Sequence, residues 1–377
     1  LSKARKSPEQ PKLRNIDIAI LEGLALYGVR NMTKLSAKLN ISPGILRRRI
    51  KYLRSHFSLY LLGNPYHTNI GLRKVFVFAE SKSGYENLLY ECLKSNDYWL
   101  WVEQCIGIPK CLAIYGIPAG KEPEFEEFVR KLREIEQVRN LNFVWSTCIQ
   151  SVNATSTWFD KSSEEWIFPW DSWLKEVQSN HEELPNTLRE PDGYVQKADW
   201  IDIMILKELE KNSAIKLKEI AKKLNLSLQA LKYHFENHVI REQMFEGPQI
   251  IANHYKELSP DMYYFRFVFQ NYENLSKFAN SLMNKPFVRA IGKTYRENQL
   301  LVQIYLPRQQ LRNFIEALSK LIKTMFLNTY EYMIMDPTKK ERQTISYEYF
   351  KDNNWEYDHK KYLENMQATL KKCAASI

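Results

Sequence analysis

Apolar residues recur along this chain at two different periods. Between positions 16 and 56 the spacing is helical, with Ile16, Ile20, Leu24 and Tyr27 on one face. A second short helix is expected over Thr33 to Leu39 with Thr33 as its N-cap. A third starts at Ser42-Pro43, serine capping and proline in the first helical position. Its inward positions are Leu46, Ile50 and Leu53. Three short helices with tight turns predict a helix-turn-helix. Leu59 to Leu62, then Gly63-Asn64-Pro65, then Tyr66 onward read as two short strands about a turn, which makes the unit winged. From 73 the strand period takes over: Lys74 to Phe78, Tyr98 to Val102, Cys111 to Tyr115 and Leu141 to Trp145 are strands. Helical patterns over Tyr85 to Leu93 and Glu124 to Ile135 separate them. The order β-α-β-β-α-β predicts a ferredoxin-like domain.

The second half repeats this order. Asp17-Ile18-Ala19-Ile20-Leu21 returns 185 positions later as Asp202-Ile203-Met204-Ile205-Leu206, and Leu39-Asn40-Ile41-Ser42 as Leu224-Asn225-Leu226-Ser227. A fixed long offset marks a duplicated unit. Gly107 and Gly292 stand at the same offset. Aromatic tails repeat too: Trp166 and Trp173 keep the spacing of Trp355 and Tyr362. Such tails are expected to pack on their own domain. The fold class is therefore α+β: two tandem copies of a winged helix-turn-helix followed by a ferredoxin-like βαββαβ (RAM/ACT-like) domain. The divisions are a basic arm over 1–15, winged helix-turn-helix units at 16–71 and 199–256, and ferredoxin-like domains at 72–149 and 257–337. Aromatic tails fill 150–177 and 338–377, and a polar linker spans 178–198.

Charge adds a partner class. Lys plus Arg number 54 against 44 Asp plus Glu, a net charge of +10 and a pI near 9.1, which favours an anionic partner. Five cysteines without CxxC spacing argue against a disulfide framework and a zinc ribbon, and no apolar run is long enough for a membrane helix. A cytoplasmic protein is expected, and the lysine- and isoleucine-rich composition suits an archaeal source. Glycine-rich nucleotide loops and nucleophile motifs are missing, so no cofactor, no catalytic residue and no enzymatic activity are expected. His234 and His238 lie one helical turn apart, but nothing adjacent in sequence completes a metal site, and none is expected.

The third helix carries the sharpest chemistry. With Leu46, Ile50 and Leu53 inward, the run Arg47-Arg48-Arg49-Ile50-Lys51-Tyr52-Leu53-Arg54 turns its cations outward, toward phosphate or guanine edges. Expected double-stranded DNA contacts are Ser42, Pro43, Gly44, Arg47, Arg48, Arg49, Lys51 and Arg54. The second copy offers Ser227, Gln229, Lys232 and Tyr233, with less charge and with Glu236 opposing phosphate.

The segment Leu39 to Leu53 resembles the recognition helix of the Lrp/AsnC (feast/famine) transcription regulators, which join a winged helix-turn-helix to a ferredoxin-like sensing domain in this order. The resemblance implies a sequence-specific DNA-binding regulator, here a covalent tandem forming an intramolecular pseudo-dimer and reading an asymmetric site mainly through helix 42–54. It implies a small-molecule effector near Gly107 and Gly292, and further homo-oligomers. Two alternatives stand beside it. Siroheme decarboxylases also resemble this family and work as paired related subunits, and a fused pair would look like this chain. A non-specific architectural DNA-binding protein is the other.

Overall fold

The computed structural model describes residues 11–153, 155–180 and 183–374. Most of the basic arm, residues 1–10, lies outside the described residues. The first helix-turn-helix consists of α1 (Asn15–Tyr27), α2 (Met32–Lys38) and α3 (Pro43–Phe57). Ser42 caps α3 as expected, its Oγ accepting from the Ile45 amide at 3.2 Å. The cap of α2 is Asn31 rather than Thr33: the Asn31 side chain accepts from the Lys34 amide at 2.9 Å, so the helix starts earlier.

Then comes β1 (Tyr60–Pro65), which stays extended through Gly63-Asn64-Pro65, with a shift of register between Asn64 and Pro65. No local hairpin forms there. The strand pairs antiparallel with its counterpart β8 in the other half, from Tyr60↔Ile251 to Pro65↔Phe245, so each half supplies the other's wing partner. Gly63 serves close packing and not a turn, because a Cβ there would sit 2.4 Å from the Leu209 carbonyl oxygen.

The first ferredoxin-like domain has β2 (Leu72–Ser81), α4 (Glu86–Leu93), β3 (Trp99–Ile106), β4 (Cys111–Pro118), α5 (Glu122–Arg133) and β5 (Val138–Ser151). The tail that follows makes the small hairpin β6 (Phe159–Asp160) and β7 (Glu165–Trp166), then α6 (Trp170–Ser179). The second helix-turn-helix is α7 (Trp200–Lys211), α8 (Leu217–Lys223) and α9 (Leu228–Tyr233), and α9 continues as a π-helix over His234–Ile240. The remaining elements are β8 (Phe245–Ile251), β9 (Pro260–Val268), α10 (Tyr272–Leu282), β10 (Val288–Thr294), β11 (Gln299–Pro307), α11 (Arg308–Lys323), β12 (Thr329–Arg342), the hairpin β13 (Phe350–Lys351) and β14 (Asn354–Trp355), and α12 (His359–Ala374).

The two ferredoxin-like sheets run β3-β4-β2-β5 and β10-β11-β9-β12, and they join edge to edge into a closed eight-stranded barrel. The long last strands do the joining. β5 leaves β2 after Ser146 and pairs with β10 up to Ala290↔Ser151. β12 leaves β9 after Ile334 and pairs with β3 up to Arg342↔Trp101. Closure leaves neither sheet an open edge. Alternation along β2 divides its side chains: Phe76 points to an interior cluster with Leu112, Tyr264 and Met333, while Val75 and Val77 face the covering helices.

Because the last strands cross over, the tails land on the opposite half and not on their own. Trp158, Trp170 and Trp173 pack with Phe278, Phe287 and Phe314 of the second domain, and α6 lies against α10 and α11. Tyr362 on α12 packs with Tyr98 of the first domain, and α12 lies against α4 and α5. The linker is also anchored, with Leu184 and Leu188 buried in the second domain's cluster. No helix among the described residues is long and apolar enough to cross a membrane.

Candidate functional site

The face of α3 is sorted by its anchors. Leu46, Ile50 and Leu53 are buried, which leaves Arg47, Arg48, Lys51 and Arg54 exposed, with Ser42, Pro43 and Gly44 exposed at the start of the helix. Arg49 is a correction. Its guanidinium turns inward to Asp17, Nε donating to Oδ1 at 2.7 Å and a terminal nitrogen to Oδ2, and it lies 4.3 Å from the Tyr52 ring centroid. Asp17 has no exposure at all, so it requires a counter-charge. Arg49 is therefore committed to the folded unit and is not on the outward face.

In the second unit Ser227, Gln229, Lys232 and Tyr233 are exposed, and Ser227 Oγ accepts from the Ala230 amide at 3.1 Å. His234 and His238 turn inward toward α7.

A second candidate site brings together residues that lie far apart in the sequence. Between the β1–β8 pair and the barrel lies a cavity of about 470 Å³, within the usual size range of small-molecule sites. Lys74 of β2, Arg289 of β10, and Lys340 and Arg342 of β12 line it, beside apolar Leu100, Ile114, Ile149 and Met262. Arg289 donates to the Ala252 carbonyl and stacks 4.5 Å from the Tyr305 centroid, with burial lowering its pKa. His67 is held below its ordinary pKa by burial and by Lys74, and its Nδ1 lies 3.0 Å from the Pro65 carbonyl, so it is a neutral imidazole. Glu210, also in the lining, accepts from Tyr347 Oη at 2.6 Å and is pushed up by burial. Nearby Glu246 on β8 accepts from Asn64 and is pushed up to about 8 by burial, opposed by Lys74. With acids discouraged from ionising and two arginines and two lysines present, the cavity favours anions.

The two glycines do not occupy corresponding places. Gly107 sits in the β3–β4 turn with φ of 105°, whereas Gly292 is buried within β10, paired with Ile149 and Leu301. The 185-residue offset no longer holds there, since β3 starts at Trp99 and β10 at Val288. The turn equivalent to Gly107's is the β10–β11 turn, where Arg296 takes positive φ.

Fold and sites together define a tandem of winged helix-turn-helix and ferredoxin-like units, closed on itself as one barrel. A family model described as winged helix-turn-helix DNA-binding matches residues 199–237, the second copy. A comparison with curated protein sequences finds no match. Among solved structures, the siroheme decarboxylase NirDL is similar at 10% identity over 96% of this chain and 100% of that one, with a TM-score of 0.50. Its co-complex with an iron-uroporphyrin III analogue is similar at 10% identity over 94% and 100%, with a TM-score of 0.52. LrpC of B. subtilis is similar at 18% identity over 36% of this chain and 94% of that one, with a TM-score of 0.29. The NirDL structures share the fold from end to end. They also correct the expectation that the chain is not an enzyme, because these whole-length matches are structures of a decarboxylase.

The cavity residues are not grouped by any motif in the sequence. Lys74, Arg289 and Arg342 lie far apart along the chain and meet only through barrel closure. The one available signal was a lysine opening an otherwise apolar strand, Lys74-Val75-Phe76-Val77.

Proposed function

We propose that this protein is a cytoplasmic DNA-binding regulator that reads an asymmetric double-stranded site, mainly through α3, with the basic cavity as the place for a small anionic effector. One observation carries the reading. Three buried aliphatic anchors hold α3 so that four cations (Arg47, Arg48, Lys51 and Arg54) share one exposed face. An exposed cationic helix face that follows a serine-capped turn suits phosphate and guanine contact. The second helix, with Gln229, Lys232 and Tyr233 outward, reads with less electrostatic help. Two unlike readers on one chain favour an unsymmetrical target over a palindrome.

The test is a footprint on genomic fragments at several salt concentrations. Arg47→Ala combined with Arg48→Ala lowers affinity by about 10- to 100-fold, and if both contact phosphate the salt dependence becomes shallower by about 2. The fold survives, since both side chains are exposed. Unchanged binding by the double variant rejects the assignment. Uniform coverage without a footprint points instead to an architectural role.

A second reading is favoured by the cavity: an enzyme acting on a polycarboxylate such as siroheme. Lys74, Arg289 and Arg342 would hold substrate carboxylates in a partly apolar chamber, and NirDL lends the whole-chain likeness. Mixing siroheme with the protein shifts the pigment's visible band, and Lys74→Ala with Arg342→Ala weakens that binding about tenfold or more. Failure of siroheme to bind, or to lose carboxylate as carbon dioxide, dismisses this reading and leaves DNA binding untouched.

A further inference from the structure

Helix α7 and the extended α9 meet at a cluster that the sequence splits in two. Asp199 and Asp202 come from the start of α7, His234 and His238 from the π-helical continuation of α9. One ligand-capable atom from each lies within 4.8 Å of all the others. His234 Nδ1 is 3.0 Å from Asp202 Oδ1 and 3.6 Å from Asp199 Oδ2. His238 Nδ1 is 3.1 Å from Asp202 Oδ2 and 4.0 Å from Asp199 Oδ2. Zinc bonds of about 2.0–2.1 Å in a tetrahedron place neighbouring ligand atoms about 3.3–3.5 Å apart, so small adjustments suffice.

The first copy shows what this place normally requires. The positions 185 residues earlier are Arg14, Asp17, Arg49 and Leu53. There the fully buried Asp17 is neutralised by Arg49. In the second copy the carboxylate is equally buried, but the arginine has become His234, the leucine His238, and Arg14 has become a second acid, Asp199. A single cation–carboxylate pair has thus been replaced by two carboxylates and two imidazoles converging on one point. A dication supplies the charge that the lost guanidinium gave. The backbone cooperates. Asp199 Oδ1 caps α7 by accepting from the Asp202 amide at 3.0 Å, which leaves Oδ2 as the oxygen nearest the histidines. The π-helix widens the turn that carries both rings, and such turns gather at functional sites.

We propose that Asp199, Asp202, His234 and His238 bind a divalent transition metal of the zinc class. The metal takes the place of the hydrogen bonds between the two Nδ1 atoms and Asp202, and fastens the start of α7 to the reading helix of the second unit. Tyr233, exposed on the reading face, has its ring centroid 5.9 Å from that of His234 and 5.6 Å from that of His238, so the metal also steadies that face. Binding at these four side chains is independent of whether the helix reads DNA.

The test uses the full chain stripped with a chelator, then titrated with Co²⁺ and separately with Zn²⁺. One equivalent of cobalt gives the visible bands of tetrahedral coordination, and one equivalent of zinc raises the melting temperature. His234→Arg rebuilds the ion pair of the first copy, keeps the fold by circular dichroism, and abolishes both responses. His238→Asn, at the more exposed histidine, weakens zinc beyond the roughly 10- to 100-fold cost of changing an outer-shell partner. Wild-type protein that takes up no metal at one equivalent overturns the proposal. So does His234→Arg protein, or His238→Asn protein should the arginine variant not fold, that binds zinc as tightly as wild type.

Discussion

Arg49→Ala destabilises the first helix-turn-helix by about 3 kcal/mol, far more than substitution of its neighbours Arg47 or Arg48. The reason is what it leaves behind. Asp17 has no exposure, and its remaining partner is the Arg14 amide at 2.9 Å. Removing the guanidinium strands an ionised carboxylate in the core of the unit, and the desolvation cost is then uncompensated. The Arg49 stack on Tyr52 is lost as well. Urea titration followed by circular dichroism measures the loss, and the double variant with Asp17→Asn recovers a large part of it because the stranded charge is gone. DNA binding by folded Arg49→Ala protein at low temperature stays near wild type. A variant as stable as wild type that has nonetheless lost its DNA affinity would mean that Arg49 faces outward after all.

Trp173→Ala has the largest effect on the other half of the molecule, about 3–5 kcal/mol. Trp173 belongs to the first half's tail, yet its ring is buried among second-half aromatics, with centroids 5.8 Å from Phe278, 6.0 Å from Phe287 and 5.7 Å from Phe314. Truncation opens a cavity between α10 and α11 that rigid neighbours cannot refill. Hydrogen exchange locates the damage: amides of α10 and α11 lose protection, while those of α4 and α5 keep theirs. Loss of protection confined to the first domain would contradict the crossed arrangement of the tails.

Much of this architecture was legible because it is local. Ser42-Pro43 starts a helix by capping and by a fixed φ, whatever surrounds it. The unbroken apolar run Val75 to Phe78 reports a strand buried on both faces, and the helical spacing of Phe125, Phe128, Val129 and Leu132 reports one buried face, all four of whose residues are buried. The outward position of Arg47, Arg48, Lys51 and Arg54 follows from three apolar anchors at helical spacing. Arg49 sits at the boundary of that face, and only the fold shows that Asp17 lies beneath it. Thr33 and Asn31 are both capping residue types, and the structure caps the helix two residues earlier, at Asn31.

Gly63-Asn64-Pro65 shows the same limit. The tripeptide has turn chemistry, but a partner strand from residues 245–251 and the close approach of Leu209 hold it extended. Tertiary pairing outweighs local turn preference when it satisfies a whole row of backbone groups.

The sequence by itself determined the duplicated plan, the class of each domain and the basic face of α3, because short-range spacing and capping encode these. Barrel closure decided everything that depends on residues distant in the chain: the shared wing pair, the exchange of aromatic tails, the cavity where Lys74, Arg289 and Arg342 meet, and the convergence of Asp199 and Asp202 on His234 and His238. Those contacts arise from long strands crossing between halves, and no periodicity within one segment records which distant segment will complete it.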